Sequence, residues 1–134
     1  MSQENVGVLH RWRESWSRHD AEATLACLHD DVVVDFSGAR GPFSGVYRGL
    51  AEVRGLLRSM WEPWDQVTID FVEVIDCGAD RAITVNVFEA QGRSSGAITG
   101  ARVANLWSFR DGLIHRSELF QSRDEALAAV GLRE

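Results

Sequence analysis

The sequence predicts an α+β domain in which a curved, mainly antiparallel sheet wraps around one long helix, and three observations predict it. Apolar residues recur at helical spacing through most of the first sixty positions, broken by one short β-branched run. From Pro63 onward the period changes to two and stays there through four strand-like runs, and a capped helical turn closes the chain. A long twisted sheet of this kind curls around the helix before it and leaves a cavity between the two.

The first helix is read from Val6, Leu9, Trp12 and Trp16, which fall on one face at steps of three and four. Asp20 supplies a side-chain oxygen to cap a second, shorter helix, with Leu25 and Leu28 turned inward. His29, Asp30 and Asp31 lack metal-ligand spacing and are read as the end of that helix. Val32, Val33, Val34 and Phe36 then form a short buried strand. The segment GARGPFSGVYRG, with its glycines and proline, predicts a loop. Helical spacing returns at Leu50, Val53, Leu56, Leu57 and Met60, and Pro63 ends it, because proline lacks the amide that the helix needs.

Strands are expected over 67–76, 82–90, 97–110 and 113–121, with the sharpest turn signal at Asp111 and Gly112. Asp-Gly readily takes the positive φ values that a two-residue type I′ turn requires. Ser122 and Glu125 form a capping box for a last helix that stops at Gly131. No repeat, linker or second domain interrupts this order, so residues 1–134 are read as a single domain.

Composition narrows the function classes. Apolar residues make up 45% and charged residues 25%, values of an ordinary globular chain. No apolar run is long enough to span a bilayer, and the start MSQENVGVLHRW is not a signal peptide, so a cytoplasmic location is expected. The net charge of −6 argues against nucleic-acid and anionic-membrane partners, which need a clustered basic face. Cys27 and Cys77 stand alone in apolar contexts and are read as buried free thiols rather than a disulfide or zinc site. No metal or cofactor is expected.

Between Val6 and Leu132 the chain carries RESWSRHDAEATLACLHDDVVVDF, GPFSGVYRGLAEVRGLL, LWSFRDGLIHRSELF and SRDEALAAVGL, in that order and spacing. On these segments it resembles the SnoaL-like polyketide cyclases of the nuclear transport factor 2-like superfamily. The resemblance implies a cone-shaped, cystatin-like α+β barrel built on a mixed sheet, a small-molecule pocket at the wide end, and a homodimer formed by sheet-to-sheet contact. Members range over isomerases, cyclases, dehydratases, epoxide hydrolases and binding proteins, so function rests on the site.

Ketosteroid isomerases of this superfamily use a tyrosine, an aspartate base and a protonated aspartate, and the matching positions here hold Trp12, Phe36 and Asn105. Phe36 cannot accept a proton, and Asp35 beside it points to the opposite face of a strand. Limonene-type epoxide hydrolases need an Asp, Arg, Asp set; Leu119 stands at the last aspartate, and the strand 82–90 has no Arg-x-Asp. Neither chemistry is expected by those routes.

Asn105 shares its strand face with Val103, Trp107 and Phe109, where an amide either steadies a ligand carbonyl or oxyanion or is satisfied within the fold. A two-residue turn at Asp111 and Gly112 would set Trp107 beside Arg116 and Asn105 beside Glu118, so that Arg116, Glu118 and Phe120 line the pocket. A three-residue turn would instead bring Asn105 to Ser117 and Trp107 to His115. On the first register Glu118 is either a general base or the partner of Arg116 in an ion pair. Trp12, Phe36, Trp61 and Trp107 are expected to bind ligand, as flat surfaces for an apolar or aromatic metabolite. Trp16 and Trp61 also fit a plain core role. Asp35 is read as capping the loop after it, and Tyr47 and Arg48 as flanking the pocket mouth or packing on the surface. Gly92 to Gly96 spell G-x-S-x-G, but in a hairpin rather than the strand-to-helix turn of a nucleophile elbow, and are read as coincidence.

Two functions follow as expectations. In one, Glu118 exchanges a proton with a carbonyl compound, Asn105 steadies the developing charge and Trp107 packs on the substrate, giving a cofactor-free isomerase, cyclase or hydrolase. In the other, the same fold is a non-catalytic binding or assembly module.

Overall fold

A computed structural model describes residues 2–92 and 98–132. Helix α1 (Gln3–Ser17) starts at Ser2, whose hydroxyl accepts the Asn5 amide. Helix α2 (Ala21–Leu25) starts at Asp20, whose carboxylate accepts the Ala23 amide. Strands β1 (Leu28–Asp35) and β2 (Val46–Arg48) lead to the long helix α3 (Gly49–Trp61), after which come β3 (Trp64–Asp76), β4 (Arg81–Gly92), β5 (Ile98–Arg110), β6 (Leu113–Phe120) and α4 (Arg123–Ala129). Ser122 caps α4 by accepting the Glu125 amide, while the Glu125 carboxylate reaches back to the Gln121 amide.

Two readings are corrected. His29, Asp30 and Asp31 belong to β1, not to a helix end: they lie in an irregular stretch held between the pairings of Leu28 with Ile114 and of Val33 with Arg116 on β6. Val46 to Arg48, expected as loop, form a short edge strand against β1. Of the G-x-S-x-G segment, Gly92 ends β4 and the remaining four residues lie outside the described residues.

The six strands run in the order β2-β1-β6-β5-β4-β3, antiparallel throughout except for the parallel pair β1 and β6. The sheet is therefore mixed and open, with β2 and β3 at its edges. Irregularities between Phe71 and Glu73 and between Ser108 and Phe109 add local bend, and the sheet curls into a half-cone. Its concave face carries Val32, Val34, Ile69, Trp107 and Ile114 against Val8, Leu9 and Trp16 of α1 and Val53, Leu56 and Leu57 of α3. The convex face holds a smaller cluster of Ile83, Ala104 and Leu106 under Ala126 and Leu127 of α4.

Edge strand β3 is partly covered without a further strand. Ser17 Oγ accepts the Ile69 amide at 3.0 Å, and His19 Nε2 meets both the Val67 amide, at 3.2 Å, and the Val67 carbonyl, at 3.3 Å.

The hairpin of β5 and β6 decides what reaches the concave face. Asp111 (φ 54°) and Gly112 (φ 75°) both take positive φ, and Arg110 pairs with Leu113, as a two-residue type I′ turn requires. One step later the ladder slips. Phe109 pairs with Ile114, but Ser108 pairs with Arg116, so His115 is an extra residue on β6. The register beyond it places Trp107 opposite Ser117, Asn105 opposite Leu119 and Leu106 opposite Glu118. Because side chains alternate with period two, this single insertion exchanges the faces of everything from Arg116 to Phe120. Neither expected register holds along the whole hairpin. His115 packs edge-on against His29, ring centroids 5.5 Å apart, and burial together with Arg110 and His29 lowers its pKa.

Candidate ligand cavity

Helix α3 and the C-terminal half of α1 close over the concave sheet face and enclose a cavity of about 40 Å³. Its walls are Trp12 and Trp16 from α1, Leu28, Val34 and Phe36 at β1, and Val53, Leu56, Leu57 and Met60 from α3. The sheet adds Ile69, Phe88, Asn105, Trp107 and Ser117. Trp12, Phe36, Met60 and Phe88 are half-buried, which marks where the cavity meets the surface, and the other wall residues are buried. At roughly 10–15 Å³ per water position, the space holds about three waters, so a ring-sized guest enters only as side chains move.

The aromatic wall is interlocked. Trp12 lies edge-on to Trp107 with centroids 4.7 Å apart and parallel to Phe71 at 6.4 Å. The Trp107 indole N–H donates to Thr84 Oγ1 at 2.8 Å, which fixes the ring and leaves its face toward the cavity. Trp61 lies behind this wall, edge-on to Trp16 and stacked 5.0 Å from His19; it is buried but does not line the cavity.

Polar character is confined to one spot. Asn86 Nδ2 donates to Asn105 Oδ1 at 2.8 Å, and Asn105 Nδ2 donates to Ser117 Oγ at 3.1 Å. All three residues are buried, and of them Asn105 and Ser117 reach the cavity. Among the described residues that line it there is no carboxylate, imidazole, guanidinium or thiol.

The slip at His115 explains where the other expected site residues went. Arg116 and Glu118 sit on the opposite side of the sheet, where Arg116 Nε donates to Glu118 at 2.9 Å and Nη2 to Asp35 at 3.0 Å. Asp35 in turn accepts the Ser37 amide and hydroxyl, at 3.0 and 2.6 Å. Those bonds, the hydroxyl first, hold its carboxyl below the ordinary 3.8. Glu118 thus faces Arg116 and not Asn105, which corrects the expected meeting of these two side chains. Phe120, also expected at the pocket, pairs with Ala104 and packs on the convex cluster. Tyr47 lies edge-on to Phe36 and donates to the Phe43 carbonyl at 2.9 Å, and Arg48 is exposed. Cys27 and Cys77 are free thiols whose pKa values burial raises; Cys27 is buried as expected, while Cys77 is only half-buried. Ser117, Asn86 and Thr84 escape a reading based on residue type alone. Ser117 appears only in the three-residue-turn register, and nothing in the composition around His115 announces the extra residue.

A wider groove of about 480 Å³ opens on the surface between Val72, Val85, Arg102 and Ser122. The Arg123 guanidinium there is engaged with Glu73 at 2.7 Å.

The family model described as the SnoaL-like domain matches residues 9–117, most of the chain. The chain belongs to the SnoaL-like family. Solved structures share the fold of this SnoaL-like domain at low identity. TerC, co-crystallised with polyporic acid, is 18% identical with a TM-score of 0.76, covering 96% of this chain and 99% of its own. RV0760c from Mycobacterium tuberculosis, in complex with estradiol-17beta-hemisuccinate, is 16% identical with a TM-score of 0.77, covering 92% and 97%. The Delta 5-3-ketosteroid isomerase from Mycobacterium sp. is 18% identical with a TM-score of 0.77, covering 92% and 96%. No curated protein matches this chain in sequence. Its α+β cone is the fold of these neighbours, and no helix among the described residues is long and apolar enough to cross a membrane.

Proposed function

We propose that this SnoaL-like domain binds a small, neutral, largely apolar ring compound in its cone. One observation carries the reading: a cavity walled by tryptophan, phenylalanine and aliphatic side chains whose polar groups, Asn105 and Ser117, are neutral. Burying a charged ligand among such walls would cost its hydration with no counter-charge in return. Proton-transfer chemistry needs a titratable group within hydrogen-bond reach of the ligand, so the neutral lining residues support the binding part of this reading. Aromatic and steroidal ligands on two neighbours of the same fold agree with a ring-shaped guest.

Met60 is the side chain best suited to yield, since it is half-buried at the surface end and unbranched with three rotatable bonds. Met60→Ala is expected to strengthen binding of bicyclic aromatics such as naphthalene by about tenfold over wild type, read by titration calorimetry. Absent binding in both proteins, or Met60→Ala binding no tighter than wild type, would reject the cavity as the ligand site.

We further infer that the domain works in the cytoplasm as a homodimer. Val72 and Val74 of edge strand β3, 50% and 45% exposed, offer apolar surface that a second copy would cover. Sedimentation equilibrium is expected to show twice the 14.9 kDa chain mass, with Val72→Asp shifting it to the monomer. A monomer at all concentrations would refute the dimer.

A further inference from the structure

The polar spot on the cavity wall has a direction. Asn86 gives a hydrogen to Asn105, and Asn105 gives one to Ser117, so both bonds run the same way toward the cavity. Ser117 Oγ therefore accepts from Asn105 while keeping its own hydrogen. Among the described residues Ser117 Oγ takes part in the Asn105 bond as acceptor and in no bond as donor. The three residues are 0%, 5% and 4% exposed, which puts the whole series out of bulk solvent and makes its alignment count. Bonds aligned head to tail polarise one another, and the last donor in the row is the one strengthened. Here the last donor is a hydroxyl on the wall of an otherwise apolar cavity.

Resting on the binding reading above, we propose that Ser117 selects the ligand: its hydroxyl donates to a single carbonyl-type acceptor on a neutral ring. The backing residues are Asn105, which positions Ser117, and Asn86, which positions Asn105. Asn86 Oδ1, buried without a donor among the described residues, stands at the tail of the series. A hydrocarbon guest leaves the Ser117 hydrogen buried and unpaired, and a guest whose polar group only donates does the same, so both bind less well than a ketone. An anionic acceptor is disfavoured because the nearest guanidinium along β6, that of Arg116, lies across the sheet and is held by Asp35 and Glu118. Trp107 does not compete for the acceptor, since its N–H is committed to Thr84.

The test uses the full chain and two nearly isosteric probes, acetophenone and ethylbenzene, which differ by a carbonyl in place of a methylene. Dissociation constants are read from indole and side-chain amide N–H shifts in nuclear magnetic resonance titrations. Wild type is expected to prefer the ketone by about five- to tenfold, the size of one neutral hydrogen bond. Ser117→Ala is expected to bind ethylbenzene as wild type does and to lose the preference, and Ser117→Thr, which restores a hydroxyl, to regain most of it. Equal affinity of wild type for the two probes, or a preference that survives Ser117→Ala, overturns the selection by Ser117 while leaving the binding reading intact. Failure of both probes to bind wild type overturns the binding reading itself, and the selection with it.

Discussion

Insertion of one threonine between His115 and Arg116 is expected to abolish cooperative folding, whereas His115→Ala is expected to cost less than about 1 kcal/mol. The contrast follows from the slip in the β5 and β6 ladder. A second extra residue there keeps the Asp111 and Gly112 turn but moves every later partner by one, which turns Arg116, Glu118 and Phe120 to the concave face and Ser117 and Leu119 to the convex one. Two charges would enter a wall made by Val34, Trp107 and the helices, and each unpaired buried charge costs several kcal/mol. A domain of this size has roughly 5–15 kcal/mol of stability to lose. The alanine variant keeps the backbone insertion and gives up only the half-buried ring beside His29. Chemical denaturation followed by tryptophan fluorescence checks both; a cooperative transition of the insertion variant at near wild-type midpoint would show that the hairpin absorbs the second extra residue in a wider bulge without penalty and that the register at this point is not what sorts the faces.

Trp107→Ala is expected to destabilise the domain by about 3–5 kcal/mol, the range for removing a large buried aromatic. Trp107 is 1% exposed, contacts Trp12 and Phe71, and holds the Thr84 hydroxyl. Its loss joins a ring-shaped space to the existing cavity. That space has apolar walls and is expected to accept free indole, so that 1 mM indole should raise the thermal midpoint of Trp107→Ala by more than it raises that of wild type. Stabilisation follows the ratio of free ligand to dissociation constant, at roughly 2.7 kcal/mol for a hundredfold excess. A loss under about 1 kcal/mol, or no rescue by indole, would mean that the surrounding aromatics collapse into the gap and that the wall is not rigid.

Much of the architecture is legible in the residues because local and global preferences agree there. The cap at Asp20, the stop before Pro63, the period-two strands and the Asp-Gly turn each have a physical signature within a few residues. The cavity wall is legible for the same reason: Trp12, Phe36, Asn105 and Trp107 follow from helical and strand alternation, and all four meet at one cavity. What cannot be read is the phase of the last strand. Alternation predicts a face only from a known starting point, and one extra residue resets it without changing the apolar and polar pattern on either side. Arg116 and Glu118 look like inward charges on one phase and like a surface ion pair with Asp35 on the other. The phase is set by packing across β1 and β6, which sequence spacing within one hairpin does not contain.

The contacts that Ser17 and His19 make with Val67 and Ile69 bear on how copies of this molecule can meet. An unpaired strand border invites another chain to extend the ladder, and natural sheets block such borders to stay soluble. Here two side chains from the end of a helix occupy the hydrogen-bonding positions a foreign strand would need along the first part of that border. Continuous sheets running from one molecule into the next through that stretch are thereby closed off, which leaves side-chain surfaces, rather than main-chain pairing, as the means of association there.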